Sequence, residues 1–460
     1  MIKKTTLLSL LTFLCLNTKG QNIYNIVCSG NLTQIDSVLK HEKLTSTDEQ
    51  GRSLLHWAVG CNQIPAFDEL VKRGLKLNQE DKNGHTALYV AVQFKRDTLL
   101  NKIIQMQKNN TWKVKQGALL LERAILDNNL PYVQKLVNSG IDIEIVNKRG
   151  SSPLEIANRV EADEIAKWLV SQGADESRVR SFTVRGSYLG QTPPRLERKV
   201  FAPNFISTEE YEFGSVFNAA GTEFYYAVEK GGKPFIRYTK LENGAWSQPV
   251  TILSSDKYGY NDPFLSPDEN RLYFISKRSL DGNSAKDDHD IWYVKREGDA
   301  WSEPINAGPN INSEFNEYYI SFTQTGTMYF ASNVNASANR KQSNQDIYYS
   351  KFIDGKFQKP VVLGSAINTE NYEADVFIAP DESYLIFCST RPEGLGRGDL
   401  YISFKNDNGG WSEAVNMGEL VNTEHHELCP YVTPDGKYML YTSNEDIYWI
   451  STEVFEQLKK

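Results

Sequence analysis

Four stretches of eight residues share one pattern: GRSLLHWA at 51–58, GHTALYVA at 84–91, GALLLERA at 117–124 and GSSPLEIA at 150–157. Each stretch opens with a glycine, has a leucine four positions later and an alanine seven positions later. Successive stretches begin 33 residues apart. A fixed period of this length, with a turn glycine and a buried leucine and alanine, predicts a stack of similar supersecondary units.

The pattern resembles the ankyrin repeat, which implies a β-turn followed by two antiparallel helices in every unit, with Gly51, Gly84, Gly117 and Gly150 in the turns. Hydroxyl side chains at Ser53, Thr86 and Ser152 are placed to cap the first helix. The third unit has Leu119 at this position and lacks the cap. Residues 26–39 resemble a capping repeat, so the predicted ankyrin domain spans residues 22–177 with one cap and four repeats.

The ankyrin resemblance implies a protein partner, bound through the hairpin tips and the concave helix face. The candidate contact residues at the tips are Gln50, Arg52, Lys82, Asn83, His85, Lys148 and Arg149. The alternative is that these are solvated turn residues with no partner.

The N-terminal residues 1–20 have the pattern of a secretory signal. Lys3 and Lys4 precede a short apolar run from Leu7 to Leu16, and cleavage is expected before Gln21. The run is too short to span a bilayer, and no later segment is apolar enough to do so. We therefore expect an exported protein, periplasmic or secreted, without a transmembrane segment in the mature chain; a retained anchor is the alternative.

The net charge and the cysteine spacing each argue against a class of function. The chain of 460 residues has a net charge of −8, which argues against general nucleic-acid binding. Cys28, Cys61, Cys388 and Cys429 remain after cleavage, and they form no C-x-x-C motif. Export permits disulfides, but the interpretation favoured by the sequence is four buried small hydrophobic residues.

Residues 178–198 break the helical pattern and are basic, with prolines at Pro193 and Pro194. They predict a linker that packs against the next domain; contact with an anionic surface is the alternative.

From residue 199 to residue 460 the pattern changes to short alternating strands in a repeat of about 55 residues. The repeat combines three features, namely a turn such as Ser266-Pro267-Asp268, a D-I-Y strand such as Asp346-Ile347-Tyr348, and an aromatic residue at Trp246, Trp301, Phe357 and Trp411. Five turns predict five four-stranded blades; six blades would fit the length and are the alternative, but no sixth turn motif is present. The unit resembles the WD40-like repeat of TolB-type β-propellers. Because the last unit lacks its fourth strand, we expect the strand at residues 200–202 to complete it and close the ring.

The motif N-[ST]-E-x-x-E precedes most of the predicted inner strands. Its last glutamates, Glu212, Glu317, Glu373 and Glu427, are candidate ligands for Ca²⁺ or a cationic molecule at one mouth of the channel. The alternative is that each glutamate caps backbone N–H groups of its own loop. His425 and His426 are adjacent to Glu427, but only one of two neighbouring imidazoles on a strand can face a metal.

The fold and the missing catalytic motifs together favour an exported, non-enzymatic binding or adaptor protein with a cell-envelope protein as partner. Its solenoid would dock this protein, and its propeller would offer a second surface. The alternative is a propeller enzyme or carbohydrate-binding protein, such as a metal-dependent glycan lyase or hydrolase, that uses the channel carboxylates.

Overall fold

The computed structural model describes residues 23–107, 110–179, 183–334 and 344–459. The chain divides near residue 181 into two compact units, the first helical and the second built of strands. The predicted signal segment, residues 1–20, lies outside the described residues.

The described part of the first unit forms five antiparallel helix pairs, and the first helix of each pair packs against the first helix of the next. The pairs are Ile23–Ser29 with Leu32–Val38, Leu54–Gly60 with Ile64–Lys72, Ala87–Gln93 with Asp97–Met106, Thr111–Leu126 with Leu130–Asn138, and Pro153–Arg159 with Asp163–Ser171. The core is a continuous apolar stripe that includes Leu55, Leu88, Leu121 and Leu154. The sequence predicts the first of these pairs as the capping repeat and the other four pairs as the full repeats.

The predicted helix starts are present where the sequence has a capping side chain. Ser53 and His56 form a capping box, and the Thr86 hydroxyl accepts a hydrogen bond from Tyr89 N. The Ser152 hydroxyl accepts from Glu155 N, directly before Pro153 at the first helical position. These bonds satisfy N–H groups that have no partner within the helix.

The third repeat departs from the prediction that every unit starts with a turn. Gly117 does not lie in a turn but inside the helix Thr111–Leu126, which has 16 residues. A Cβ atom on Gly117 would lie 2.9 Å from Ile141 Cγ2. The glycine therefore allows the close approach of Ile141, and the repeat has no hairpin tip of the predicted kind.

Cys28 and Cys61 form a disulfide with their Cα atoms 5.2 Å apart, so the expectation of four unpaired cysteines is wrong for this pair. The two residues are 33 positions apart, one full repeat, and stacking places equal register positions of adjacent repeats side by side. The bond therefore joins the capping repeat to the first full repeat. Cys388 and Cys429 are buried free thiols, as expected.

The described part of the second unit contains five antiparallel sheets of four or five strands and one short two-stranded hairpin. The main strands of each large sheet follow one another in chain order from the centre outwards, except that the outermost strand of blade 5 comes from the start of the unit. Their main strands are Tyr211–Phe217, Glu223–Lys230, Lys233–Glu242 and Val250–Leu253 in blade 1; Asn261–Leu265, Arg271–Arg278, Ala285–Glu297 and Ile305–Asn306 in blade 2; Glu317–Phe322, Met328–Ser332, Asp346–Ser350 and Val361–Val362 in blade 3; Glu373–Ile378, Tyr384–Ser389, Asp399–Phe404 and Val415–Asn416 in blade 4; and Leu428–Val432, Tyr438–Ser443 and Asp446–Ser451 in blade 5. Short two-stranded extensions carry Trp246, Trp301 and Phe357.

The first strand of every blade contacts the first strands of both neighbouring blades, which closes a ring of five around a central axis. The strand Lys199–Val200 pairs with Asp446–Ser451 and supplies the fourth strand of blade 5. Phe201 N adds a hydrogen bond of 2.7 Å to Ile447 O. The predicted five blades and the predicted closure are confirmed, and closure covers the outer edge of the strand Asp446–Ser451.

The chain between residues 183 and 198 packs against the propeller. Trp246 N donates to Val184 O over 2.8 Å, and Trp246 Nε1 donates to Gly186 O over 2.8 Å. Leu189 is buried in the propeller core.

Candidate binding surfaces

Three hairpin tips of the helical unit are built in the same way. In each, one side-chain oxygen accepts hydrogen bonds from the backbone N–H groups two and four residues later. Asp48 accepts from Gln50 N and Arg52 N, Asp81 from Asn83 N and His85 N, and Asn147 from Arg149 N and Ser151 N, all at 2.9–3.0 Å. The intervening glycines have φ of 76–79°, which a residue with a Cβ rarely adopts. The same register position in the third repeat is Val114, which has no acceptor, and this explains the missing tip.

The seven candidate contact residues divide into two groups. Gln50, Lys82, Asn83 and Lys148 are exposed at the tips. Arg52 pairs with Asp48 at 2.7 Å and lies over the Trp57 ring, and His85 stacks on Tyr89 with the ring centroids 3.9 Å apart. The half-buried Arg149 also has a partner within the chain.

His56 links neighbouring tips. Its Nδ1 accepts a hydrogen bond from Ser53 N at 3.0 Å, and its Nε2 lies 3.0 Å from His85 O in the next tip. Burial lowers the pKa of His56, so the folded state favours the neutral ring. His56 thus joins the first tip to the second.

The four candidate metal ligands of the propeller are buried and hydrogen-bonded within their own blades. Each glutamate accepts the backbone N–H and the hydroxyl of the Ser or Thr four residues earlier; these partners are Thr208 for Glu212, Ser313 for Glu317, Thr369 for Glu373 and Thr423 for Glu427. In blades 3, 4 and 5 a serine of the second strand donates a further bond, from Ser332, Ser389 and Ser443. This geometry matches the loop-capping alternative.

In blades 3, 4 and 5 the asparagine of the same motif joins the blade to the one before it. Asn312 Oδ1 accepts from Ile291 N at 2.8 Å, and its Nδ2 donates to Ile291 O at 2.9 Å. Asn368 and Asn422 form the equivalent pairs with Ile347 and Leu400. At the point of closure Ser207 Oγ contacts the backbone of Ile447 instead. The whole motif therefore fastens the blades to one another.

The centre of the channel is closed by five residues that the sequence analysis did not identify. Two positions after the motif glutamate, or its counterpart Tyr260, every inner strand has a residue with φ of 45–53°. In four strands this turns a side chain out of the pleat and towards the axis, and in the first strand the position is a glycine. The five residues are Gly214, Asp262, Tyr319, Asp375 and Cys429, called the channel plug below. Cys429 Sγ lies 3.3 Å from Asp262 Oδ1, and Tyr319 OH donates to Pro430 O over 2.9 Å, so the plug spans non-adjacent blades.

Two plug residues are carboxyl groups with raised pKa values. Burial raises the pKa of Asp262 to about 7. Burial, followed by repulsion from Asp262, raises the pKa of Asp375 to about 8. In the folded state both groups hold a proton at pH values where exposed aspartates are ionised.

Between the plug and the blade turns lies a cup of about 470 Å³. Its walls are apolar and come from all five blades, with Val216, Phe264, Phe322, Phe377 and Tyr431 among them. Its rim carries the exposed turn residues Ala219, Pro267, Gln324, Pro380 and Pro434. An open apolar cup with few polar groups is suited to binding apolar side chains.

His425 and His426 are not brought to a metal site. His426 Nε2 lies 3.3 Å from Cys388 Sγ, but burial and the Arg397 charge lower the pKa of His426 to about 4, and burial raises the pKa of the Cys388 thiol. This pair is thus neutral and has no activated thiolate. Within the described ranges, no three His, Cys, Asp or Glu side chains form a group that could hold a metal ion. The alternative of a metal-dependent propeller enzyme is not supported.

None of the helices in the described part of the chain is both long enough and apolar enough to cross a membrane.

A family model described as ankyrin repeats matches residues 23–111 with three copies. Curated relatives include the potassium channel AKT2/3 of Arabidopsis thaliana, 26% identical over 34% of this chain and 19% of the relative. A putative ankyrin repeat protein of fowlpox virus, FPV024, is 28% identical over 26% of this chain and 20% of the relative. The chain thus spans about a fifth of the length of these relatives.

The human ASB11 ankyrin repeat domain is a solved structure that aligns with 34% of this chain and 71% of its own, at 16% identity and a TM-score of 0.30. The ankyrin assignment rests on the family model and on the helix pairs described above. The chain thus carries ankyrin repeats, followed by a region of strands arranged as a five-bladed propeller.

Proposed function

We propose that this protein is an exported, non-enzymatic adaptor that docks a protein partner on the tips of its ankyrin repeats. The observation that carries this proposal is the identical construction of three tips, each rigidly held by an Asp or Asn and each presenting exposed polar side chains. A preorganised surface loses little entropy on binding, which favours recognition of a folded partner.

Export is part of this proposal and has two supports. The first is the signal pattern of residues 1–20, and the second is the disulfide between Cys28 and Cys61, since such bonds persist in oxidising compartments. The resemblance of the propeller repeats to the TolB type favours a cell-envelope partner. Peptide mapping without reductant tests this proposal. The chain exported from a cell should carry the Cys28–Cys61 bond and begin at Gln21; the same chain retained with residues 1–20, or recovered with both thiols free, would count against export.

Affinity capture from an envelope extract tests the docking proposal, with the mature chain 21–460 as bait. We expect a retained partner whose recovery falls at least about tenfold when Lys82, Asn83 and Lys148 are changed to Ala. The matched control changes Lys72, Asn138 and Lys167 to Ala, which are also two lysines and one asparagine but lie exposed on the second helices. Equal recovery with the tip variant and the control, or no retained protein, would refute docking at the tips.

We propose the cup as the second binding surface, for an apolar segment of a protein. Its apolar walls and proline-lined rim support this assignment. Replacing Pro267 and Pro380 at the rim by Glu should abolish binding through the cup and leave capture by the tips unchanged. Binding that survives both charges would contradict a role for the cup.

A further inference from the structure

The blade turns, such as Ser266-Pro267-Asp268, lie on one face of the propeller. On this face, outside the cup, each pair of neighbouring blades leaves a cleft between the second strand of one blade and the first strand of the next. The residues at or directly before the start of the second strands are equivalent by register: Glu223, Arg271, Thr327, Tyr384 and Tyr438 in blades 1 to 5. The side chains that occupy each of the five clefts indicate which kinds of side chain the cleft can bind.

Aromatic side chains from outside the blades fill two of the clefts. Between blades 5 and 1, Tyr188 donates a hydrogen bond to Asp435 and packs on Tyr438 and Trp449, with ring centroids 5.1 and 5.8 Å away. Tyr188 has φ of 49°, a strained value for a residue with a Cβ, so its contacts outweigh the backbone cost. Between blades 4 and 5, the C-terminal helix Glu453–Glu456 places Phe455 5.3 Å from the Tyr384 ring.

Hydrogen-bonded pairs of polar side chains fill two other clefts. Between blades 1 and 2, Arg296 forms a two-bonded ion pair with Glu223 at 2.8 and 3.1 Å and lies over the Trp301 ring. Between blades 3 and 4, Tyr329 OH donates to Glu382 over 3.1 Å.

The cleft between blades 2 and 3, called the 2/3 cleft below, holds a cavity of about 210 Å³, whereas about 170 Å³ remains beside Tyr188 in the cleft between blades 5 and 1. The residues that line the cavity of the 2/3 cleft all belong to blades 2 and 3, so no side chain from outside these blades enters it in the described part of the chain. Tyr273, Phe322, Phe352 and Phe357 line it, so its walls are aromatic, as in the clefts that hold Tyr188 and Phe455. Asp268 occupies the register position of Asp435, the residue that binds the Tyr188 hydroxyl. This cavity thus has the walls and the polar acceptor that an aromatic side chain meets elsewhere in the ring.

Arg271 adds a charge that the other aromatic clefts lack. Its guanidinium carbon lies 5.2 Å from the Tyr293 ring centroid and 5.7 Å from that of Phe352, and its Nη1 lies 3.3 Å from Tyr273 OH. It forms no salt bridge with any described carboxylate. In the neighbouring cleft the same register position belongs to Glu223, which is paired with Arg296. The charge of Asp268, in the same cleft, acts on Arg271, but the two groups form no ion pair among the described residues.

We propose that the 2/3 cleft binds an extended segment of a partner protein that presents an aromatic side chain next to a carboxylate. The aromatic ring enters the cavity, as Tyr188 and Phe455 enter the equivalent clefts, and the carboxylate pairs with Arg271. This site lies beyond the tips and the cup of the proposed function, and it assigns a specific ligand chemistry.

The test uses the mature chain and the peptide acetyl-Glu-Tyr-Gly-amide, with 4-azidophenylalanine replacing tyrosine for crosslinking. We expect saturable binding by calorimetry at millimolar concentration, and crosslinks that map to the lining of the 2/3 cleft. The Gln version of the peptide should bind about tenfold more weakly, because it lacks the carboxylate. Crosslinks outside the cleft, equal binding of the two peptides, or no saturable binding would overturn the proposal.

Variants locate the two parts of the interaction. Arg271→Ala should remove the difference between the Glu and Gln peptides, and Lys356→Ala, which removes an exposed cation from the hairpin that carries Phe357, should preserve it. Arg271→Tyr introduces the residue type found at this position in blades 4 and 5. This variant should still bind the aromatic ring of the peptide, but it should no longer distinguish the Glu peptide from the Gln peptide. Tyr188→Ala should open a second, equivalent site for the Gln peptide. Discrimination that survives in Arg271→Ala would overturn the pairing.

Discussion

At the scale of single residues, repetition in the sequence indicates architecture more reliably than it indicates a site. The motif glutamates recur because every blade needs the same loop cap, and each is buried with its own Ser or Thr donor. The channel plug occupies an equally constant position, but its residues, such as Gly214, Asp262 and Tyr319, share no side-chain chemistry. The five plug residues share only a positive φ, and a backbone angle leaves no pattern in the sequence. The plug could therefore not be predicted, whereas the glutamates could.

Asp375 should make the propeller less stable at alkaline pH, and Asp375→Asn should remove this effect. The folded pKa is about 8 and the unfolded pKa about 3.9, so the folded state binds more protons between these values. The free energy of unfolding contributed by this group therefore falls as pH rises from about 4 to about 8 and is constant outside that window. Asp262, whose pKa is raised to about 7, acts in the same direction and is retained in the variant.

Thermal unfolding of parent and variant at pH 4 and pH 8.5 measures this effect. We expect equal midpoints at pH 4 and a midpoint at least about 2–4 °C higher for Asp375→Asn at pH 8.5, the shift for about 1 kcal/mol in a domain of this size. Asp407→Asn, an exposed aspartate of the same blade, should show no such pH dependence. A constant difference between parent and variant at the two pH values would show that Asp375 is not protonated in the folded state.

At the scale of elements, the sequence predicts a repeat well only where its local chemistry is complete. Gly117 keeps the 33-residue register, yet Val114 replaces the anchoring Asp or Asn and no hydroxyl caps the helix, so the chain continues as a helix. The disulfide is a case where the register alone carries the information, although the sequence analysis did not use it. Its spacing of 33 residues equals the repeat period, and this match was the available signal that Cys28 and Cys61 are neighbours.

The disulfide should stabilise the N-terminal end of the solenoid. Closing a loop of 33 residues restricts the unfolded chain and is worth about 3–4 kcal/mol. Chemical denaturation followed by far-ultraviolet circular dichroism should therefore show a weaker helical transition when Cys28 and Cys61 are both changed to Ala. Reductant should shift the parent to the same midpoint and leave the variant unchanged, which is the internal control. A parent that does not respond to reductant would contradict a stabilising bond.

At the scale of the whole molecule, the two periods predict two architectures because each repeated unit buries its apolar face only against its neighbours. The number of blades followed from counting turns, and closure followed from the missing fourth strand of the last unit. The clefts between blades could not be predicted, because their contents come from distant parts of the chain, such as Tyr188 and Phe455. The sequence thus predicts a repeated framework more readily than it predicts the differences between units.

Closure of the ring should protect the protein from self-association, and Phe201 is the residue on which to test it. Phe201 is fully buried at the junction of blades 5 and 1, against Phe217, Phe224 and Trp449. Phe201→Ala should cost about 3–5 kcal/mol, and so should Phe330→Ala, an equally buried residue within blade 3. Only the first change loosens the strand Lys199–Val200 and uncovers the edge of Asp446–Ser451, which is a template for pairing with another chain. Light scattering at a temperature where both variants are folded should therefore show concentration-dependent association for Phe201→Ala alone. Equal association of the two variants would mean that lost packing, and not an opened ring, is the cause.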